Sequence, residues 1–213
     1  MRQTFNLQLK ELNDNLTKMG GLCEDCITSA TQALLLGTEE LGEKAIELEK
    51  EIDVKENEIQ SLCIKLLLQQ QPVARDLRTI SAALKMITDM ERIGDQGSDI
   101  AELLKHASYK CKIRTPHIAA MADSTIKMVT GSVEAFVHQD IILAEKIAKQ
   151  DDEVDSLFQE VKSDILDMIT SGTKHDKEFG EEAINTLLIA KYLERIGDHA
   201  VNITEWVRFS AGK

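Results

Sequence analysis

Four pairs of acidic residues share one spacing: Glu49 with Asp53, Glu91 with Asp95, Asp151 with Asp155, and Glu194 with Asp198. On a helix, residues four apart are separated by about 6 Å of rise and return to nearly the same face. Like charges so placed repel by a few tenths of a kcal/mol. A choice that is locally unfavourable and made four times points to a compensating cation. Carboxylates alone make an all-oxygen site, suited to a hard or borderline ion such as Mg²⁺, Ca²⁺, Mn²⁺ or Fe. Asp99 and Asn202 add a further turn to the Glu91/Asp95 and Glu194/Asp198 pairs, one in each repeat. Zinc is disfavoured without Cys or His at these positions, and the Glu-x-x-His motif of di-iron bundles does not occur. The competing reading is a solvated charged face, since 29% of the chain is charged.

Those pairs need helices that hold them level. Apolar residues recur at steps of three and four along most of the chain, as in Leu41, Ala45, Leu48, Ile52, Ile59, Leu62 and Leu66, and again in Ile189, Leu193, Ile196, Ala200, Ile203 and Val207. Breakers divide these stripes: Gly37-Thr38, with Thr38 as an N-cap; Gln71-Pro72-Val73-Ala74; Arg114-Thr115-Pro116; His138-Gln139-Asp140, with Asp140 as a cap; and Thr170-Ser171-Gly172-Thr173. Six long helices follow, over about 4–36, 39–70, 74–109, 116–137, 140–170 and 178–210. If each hairpin is antiparallel, Asp53 and Glu91 stand 18 and 17 residues from the turn Gln71–Ala74, and Glu49 and Asp95 stand 22 and 21 from it. The four carboxylates are then level, and the same register holds for Asp151, Asp155, Glu194 and Asp198.

The chain also repeats. Glu91-Arg92-Ile93-Gly94-Asp95 returns 103 residues later as Glu194-Arg195-Ile196-Gly197-Asp198, and Gly42-Glu43-Lys44 through Asp53 returns 102 later as Ala144-Glu145-Lys146 through Asp155. The expected fold is all-α, two tandem three-helix bundles of antiparallel helices, with a first unit at 1–112 and a second at 113–213. Gly94, Gly97 and Gly197 read as points of close helix approach, and Gly20-Gly21 as a kink or a close contact. Arg92 and Arg195 read as salt-bridge partners of the neighbouring carboxylates. The five His look isolated, and His199 has no counterpart because Gln96 holds its place.

Composition narrows the function. A net charge of −12 disfavours nucleic acid, which needs clustered Lys and Arg, and favours cations or basic partners. Aromatics make only 4% and Pro numbers two, which argues against an all-β fold. No apolar run approaches the roughly 20 residues that span a bilayer, and no apolar segment follows Met1, so the expectation is a cytoplasmic protein. Cys23 and Cys26 form a CxxC, but Cys63 and Cys111 are too far apart to complete a zinc ribbon, and small reduced residues on a helix are expected. Neither a Gly-x-Ser-x-Gly nor a Walker-type loop is present, and nothing argues for an enzyme.

The turn Gln71-Pro72-Val73-Ala74-Arg75-Asp76-Leu77-Arg78, with the two copies of Glu-Arg-Ile-Gly-Asp at the repeat distance, resembles the PhoU family over nearly the full length. The second unit departs from that pattern, with Thr173-Lys174-His175-Asp176 in place of the turn. The resemblance implies a PhoU-like, spectrin-repeat-like architecture. It also implies a negative regulator of phosphate uptake and of the phosphate regulon, linking the ATPase of the phosphate ABC transporter to a sensor histidine kinase. Membrane association would run only through those partners. It further implies metal clusters, Fe or Mn with Mg as a substitute, on Glu49, Asp53, Glu91 and Asp95, and on Asp151, Asp155, Glu194 and Asp198. The alternatives are a metal-storage or metal-dependent hydrolase bundle, or a metal-free helical scaffold serving another transporter. Apolar edges on the long helices also allow a homodimer.

Overall fold

The computed structural model describes residues 2–69, 72–107, 116–171 and 176–212. It contains six helices: α1 (Arg2–Leu36), α2 (Glu39–Gln69), α3 (Ala74–His106), α4 (Pro116–His138), α5 (Ile141–Thr170) and α6 (Lys177–Ser210). Their limits follow local chemistry. Gly37 takes a left-handed φ of 69° and returns its N–H to Ala33 O at 2.9 Å, ending α1. Pro116 opens α4, where its missing N–H costs nothing. Asp140 caps α5 by accepting from Leu143 N at 3.0 Å, and Asp176 caps α6 by accepting from Phe179 N at 2.9 Å.

Thr38 does not cap α2. Its hydroxyl is buried without a hydrogen-bond partner, so the acidic first turn, Glu39 and Glu40, carries that helix start instead. The expected boundary at 112/113 lies outside the described residues, as do Gln71, Cys111, Arg114, Thr115 and Gly172 to His175.

The apolar stripes explain the packing. α1, α2 and α3 pack on one another, as do α4, α5 and α6. The two bundles meet through α1 against α4 and α3 against α6, so α2, α3, α6 and α5 stand side by side with α1 and α4 laid across one face. One continuous core, including Leu12, Leu16, Ile52, Met86, Met90, Phe136, Ile165 and Leu193, runs through both bundles.

The glycines mark the tightest approaches. A Cβ on Gly20 would stand 3.1 Å from Val133 Cγ1, so this glycine serves the α1–α4 contact, while Gly21 has nothing within 4 Å. A Cβ on Gly97 would come within 2.7 Å of Cys26 Sγ, and one on Gly94 within 2.9 Å of Ile52 Cδ1. Cys26 therefore fills the space under α3 and faces the carbonyls of Ala45 (3.4 Å) and Gly94 (3.8 Å).

Cys23, Cys26 and Cys63 are free and buried. Burial pushes the Cys26 and Cys63 thiols up to about 12, with Glu49 adding to the effect at Cys26. These thiols are protonated packing groups.

Candidate functional site

The α2–α3 and α5–α6 hairpins each bring their acidic pairs together. In the first bundle, burial raises the pKa of Glu49, and Asp53 on the same helix and Asp95 on the next raise it further. Glu91 is raised by burial, then by Asp95, with Glu56 and Asp53 contributing across the hairpin. The four predicted residues therefore lie within electrostatic reach of one another. In the second bundle Asp151 is pushed up to about 6, first by burial and then by Asp155, Asp198, Asp152 and Glu194. Asp198 is raised by burial, Glu194 and Asp155. Burial in the grooves is the shared leading cause, and mutual repulsion adds to it.

Each groove has a floor from the third helix. Cys26 of α1 lies below Glu49, close enough for that carboxylate to perturb its thiol. In the second bundle a Cβ on Gly197 would meet Asp151 Oδ1 at 3.2 Å, Val154 Cγ1 at 3.6 Å and Met128 Cε at 3.8 Å. The glycine lets the Asp151 carboxylate rest against the α6 backbone, and Met128 of α4 takes the place that Cys26 has in the first bundle.

The protein's own cations already meet these acids. Arg92 reaches back to Glu91 at 3.3 Å and forward to Asp95 at 2.9 Å. Lys191 is hydrogen-bonded to Glu194, and its ammonium also stands 5.6 Å from the Phe158 ring centre. Lys162 approaches the same ring at 5.9 Å. Among the described residues, no three His, Cys, Asp or Glu side chains stand as a ready-made metal site. The donor chemistry fits a hard cation, and the arrangement as folded is one of counter-ions supplied from within.

Asp99 and Asn202 do not behave alike, although they occupy matching positions in the repeat. Asp99 extends the first cluster along α3: burial raises its pKa, Asp95 and Glu102 add to that, and Arg195 of α6 offsets them. Asn202 turns to the α3–α6 seam, where its Nδ2 donates to Asp89 Oδ1 at 3.0 Å.

Sequence reasoning missed that seam. Asp89 accepts from His199 Nδ1 at 3.0 Å, from Asn202, and from Trp206 Nε1 at 2.9 Å. Burial pushes the Asp89 carboxyl up, but the three donors outweigh it and hold it below the usual carboxylate range. His199, expected to be an isolated exposed residue, is mostly buried and tied to the other bundle. Glu56 was also missed. Thr88 Oγ1 donates to it at 3.5 Å, and burial and Asp53 raise its pKa, so it is a further acid of the first cluster.

Comparison with known proteins places this architecture. The PhoU domain family matches residues 16–104 and again 118–207. A phosphate-specific transport system accessory protein PhoU homolog of Clostridium acetobutylicum is 34% identical over 206 residues, covering 96% of this chain and 92% of the relative. The homolog of the same name from Pseudomonas aeruginosa is 32% identical over 213 residues, covering 96% of this chain and 84% of the relative. The crystal structure of PhoU from Pseudomonas aeruginosa superposes with a TM-score of 0.89 at 29% identity, covering 98% of this chain and 99% of that one. The phosphate transport system regulatory protein PhoU of Streptococcus pneumoniae shares the fold, with a TM-score of 0.88 at 23% identity and 98% of each chain covered.

Proposed function

The chain belongs to the PhoU family, and on that premise we propose that it is an accessory and regulatory protein of phosphate transport that acts by binding rather than by turnover. It restrains uptake and the phosphate regulon when phosphate is plentiful, by contacting the transporter's ATPase and a sensor histidine kinase on the cytoplasmic side of the membrane. The observation that supports this reading is the double PhoU-domain match, in a chain that aligns over most of their length with relatives named as phosphate-specific transport system accessory proteins. Among the described residues no helix is long and apolar enough to cross a membrane.

The carboxylate clusters supply the regulated face in this reading. Glu49, Asp53, Glu91 and Asp95, extended by Asp99, would hold one hard cation group, Fe or Mn with Mg as a substitute. Asp151, Asp155, Glu194 and Asp198 would hold another. Asn202 reaches such a site only by leaving Asp89. A bound cation would supply the positive charge that these groups lack. The protein's part is to hold the acids level and release Arg92 and Lys191 to solvent. Raised proton affinity at Glu49, Glu91, Asp151 and Asp198, from burial first and neighbouring carboxylates second, supports this, because both penalise an uncompensated anion and a bound cation would relieve that penalty.

The test is a deletion strain carrying a phosphate-regulon reporter. Loss of the gene should derepress the reporter in phosphate-rich medium, and the wild-type chain should restore repression. Unchanged repression without the gene would contradict the proposal.

A further inference from the structure

The α3–α6 seam is crossed twice by the same pair of repeat positions, and the two crossings are filled differently. At one, Asp89 of α3 meets Asn202 of α6, and its carboxylate accepts from Asn202 Nδ2 at 3.0 Å, His199 Nδ1 at 3.0 Å and Trp206 Nε1 at 2.9 Å. At the other, the repeat offset of 103 puts Tyr192 of α6 where Asp89 stands and Asp99 of α3 where Asn202 stands. Burial raises the Tyr192 pKa, and the Asp99 charge across the seam raises it further.

These pairings decide which way the residue one turn beyond each acid pair faces. Asn202 follows Asp198 as Asp99 follows Asp95, so each stands between the acid row of its own helix and the seam beside it. An amide donates, and Asp89 is kept in its charged form by its three donors against the effect of burial. A charge-assisted bond therefore holds Asn202 at the seam. An ionised Asp99 can only accept. Burial raises its pKa and Asp95 and Glu102 raise it further, with Arg195 of α6 offsetting part, so this carboxylate stays with the acids of its own row.

We propose that Asp89 is a positioning residue that withholds Asn202 from the second acid cluster, so that Asp99 is a cation ligand of the first cluster and Asn202 is not one of the second. An amide oxygen is a competent donor to a hard cation. Asn202 is kept out by its bond to Asp89 and not by its chemistry. The duplicated sites then differ by one donor, a carboxylate. The proposal rests on the reading that both clusters take a cation.

The experiment titrates Mn²⁺ into the full chain and reads free Mn²⁺ by electron paramagnetic resonance, with each site isolated by disabling the other. Glu194→Gln/Asp198→Asn leaves the first site, and Glu91→Gln/Asp95→Asn leaves the second. Thermal melting checks that each protein is folded. Asp99→Ala should weaken the first site at least tenfold, whereas Asn202→Ala should leave the second within twofold. Asp89→Ala should tighten the second site at least threefold, and adding Asn202→Ala should abolish that gain. Loss of a nearby anion by itself weakens cation binding, so a gain is the mark of a freed amide. Asn202 is exposed, so the contrast between Asp99→Ala and Asn202→Ala decides alone where Asp89→Ala does not fold. Three results would overturn the proposal and leave the cation reading intact: Asn202→Ala weakening the second site as Asp99→Ala weakens the first, an Asp99→Ala first site of unchanged affinity, or a folded Asp89→Ala variant whose gain is missing or survives the loss of Asn202. No Mn²⁺ bound at either isolated site or by the wild type would overturn both.

Discussion

The two carboxylate clusters are built on one scaffold and neutralised differently. In the first, Arg92 spans Glu91 and Asp95 within α3, and Glu56 adds a further acid held by Thr88. In the second, the positions matching Glu56 and Thr88 hold Phe158 and Lys191, so an acid and its hydroxyl donor become a ring and an ammonium. Asp151 takes the place of Glu49. One methylene shorter, it rests against Gly197 and cannot swing as far into water, so burial and four neighbouring acids push it up to about 6. A duplicated backbone thus preserves the positions of acids, while the cations that answer them are chosen separately in each half.

The α3–α6 seam shows the same divergence. One half closes on Asp89 with three donors from α6. The matching half offers Tyr192 in place of Asp89, with Gln96, Asp99 and Leu103 in place of His199, Asn202 and Trp206. There the Gln96 carbonyl oxygen is buried without a partner. The largest expected effect follows from this contrast. Asp89→Ala leaves three donors in a mostly buried seam and should lower stability by about 2–3 kcal/mol, read by urea unfolding. The single Trp of the chain should report the loss directly through a shifted emission maximum. Tyr192→Phe, at the mirrored position, should cost under about 0.5 kcal/mol. Equal losses would erase the distinction between the two halves.

Next in size is the packing under α3. Gly97→Ala brings a methyl to within 2.7 Å of Cys26 Sγ and should cost about 1–2 kcal/mol. Adding Cys26→Ala should recover part of that loss, and calorimetry of the single and double variants checks it. The second bundle already has Ala200 at the position matching Gly97, with Met128 rather than Cys26 beneath the groove. At Gly21, by contrast, a methyl meets nothing, and Gly21→Ala should stabilise the chain by about 0.5–1 kcal/mol.

Asp151 gives a smaller, pH-dependent effect. Its folded pKa, about 6, lies above its ordinary value of 3.8, so the folded chain holds the proton more tightly than the unfolded one. Stability from this group is therefore full below about pH 4 and is lost as pH rises through 6. Without added metal, Asp151→Asn should melt about 2–4 °C higher than wild type at pH 7.5 and at the same temperature at pH 4. A variant that melts lower at pH 7.5 would show that the carboxylate is stabilising and that the cluster's charge is already balanced. Arg92→Ala should also have a small effect, changing apo stability by under about 1 kcal/mol, because the guanidinium is exposed.

The helices and the acid clusters were legible because both rest on local periodicity. Breakers and caps set five of the six helix starts to within one residue, apolar steps of three and four gave the buried faces of α2 and α6, and i, i+4 spacing with hairpin register placed eight carboxylates in two groups. The Asp89 seam was not legible in that way, since its partners lie 110 to 117 residues away on a helix of the other bundle. A signal did exist. His199, Asn202 and Trp206 follow one face of α6 at i, i+3 and i+7, and all three break the repeat. Asn202 was misplaced for the same reason: its match with Asp99 suggested the acidic face, whereas the amide's donor capacity ties it to Asp89. Thr38 failed as a cap because residue type alone does not orient a hydroxyl.

The central claim, that both grooves take a cation, is tested most directly by elemental mass spectrometry of protein purified without chelator or polyhistidine tag, before and after incubation with Mn²⁺ or Fe²⁺. The account predicts bound metal in the wild type, with part lost in Glu91→Gln/Asp95→Asn, part lost in Glu194→Gln/Asp198→Asn, and all of it lost when the four changes are combined. A wild type that stays metal-free after incubation, or variants that retain full metal content, would contradict it.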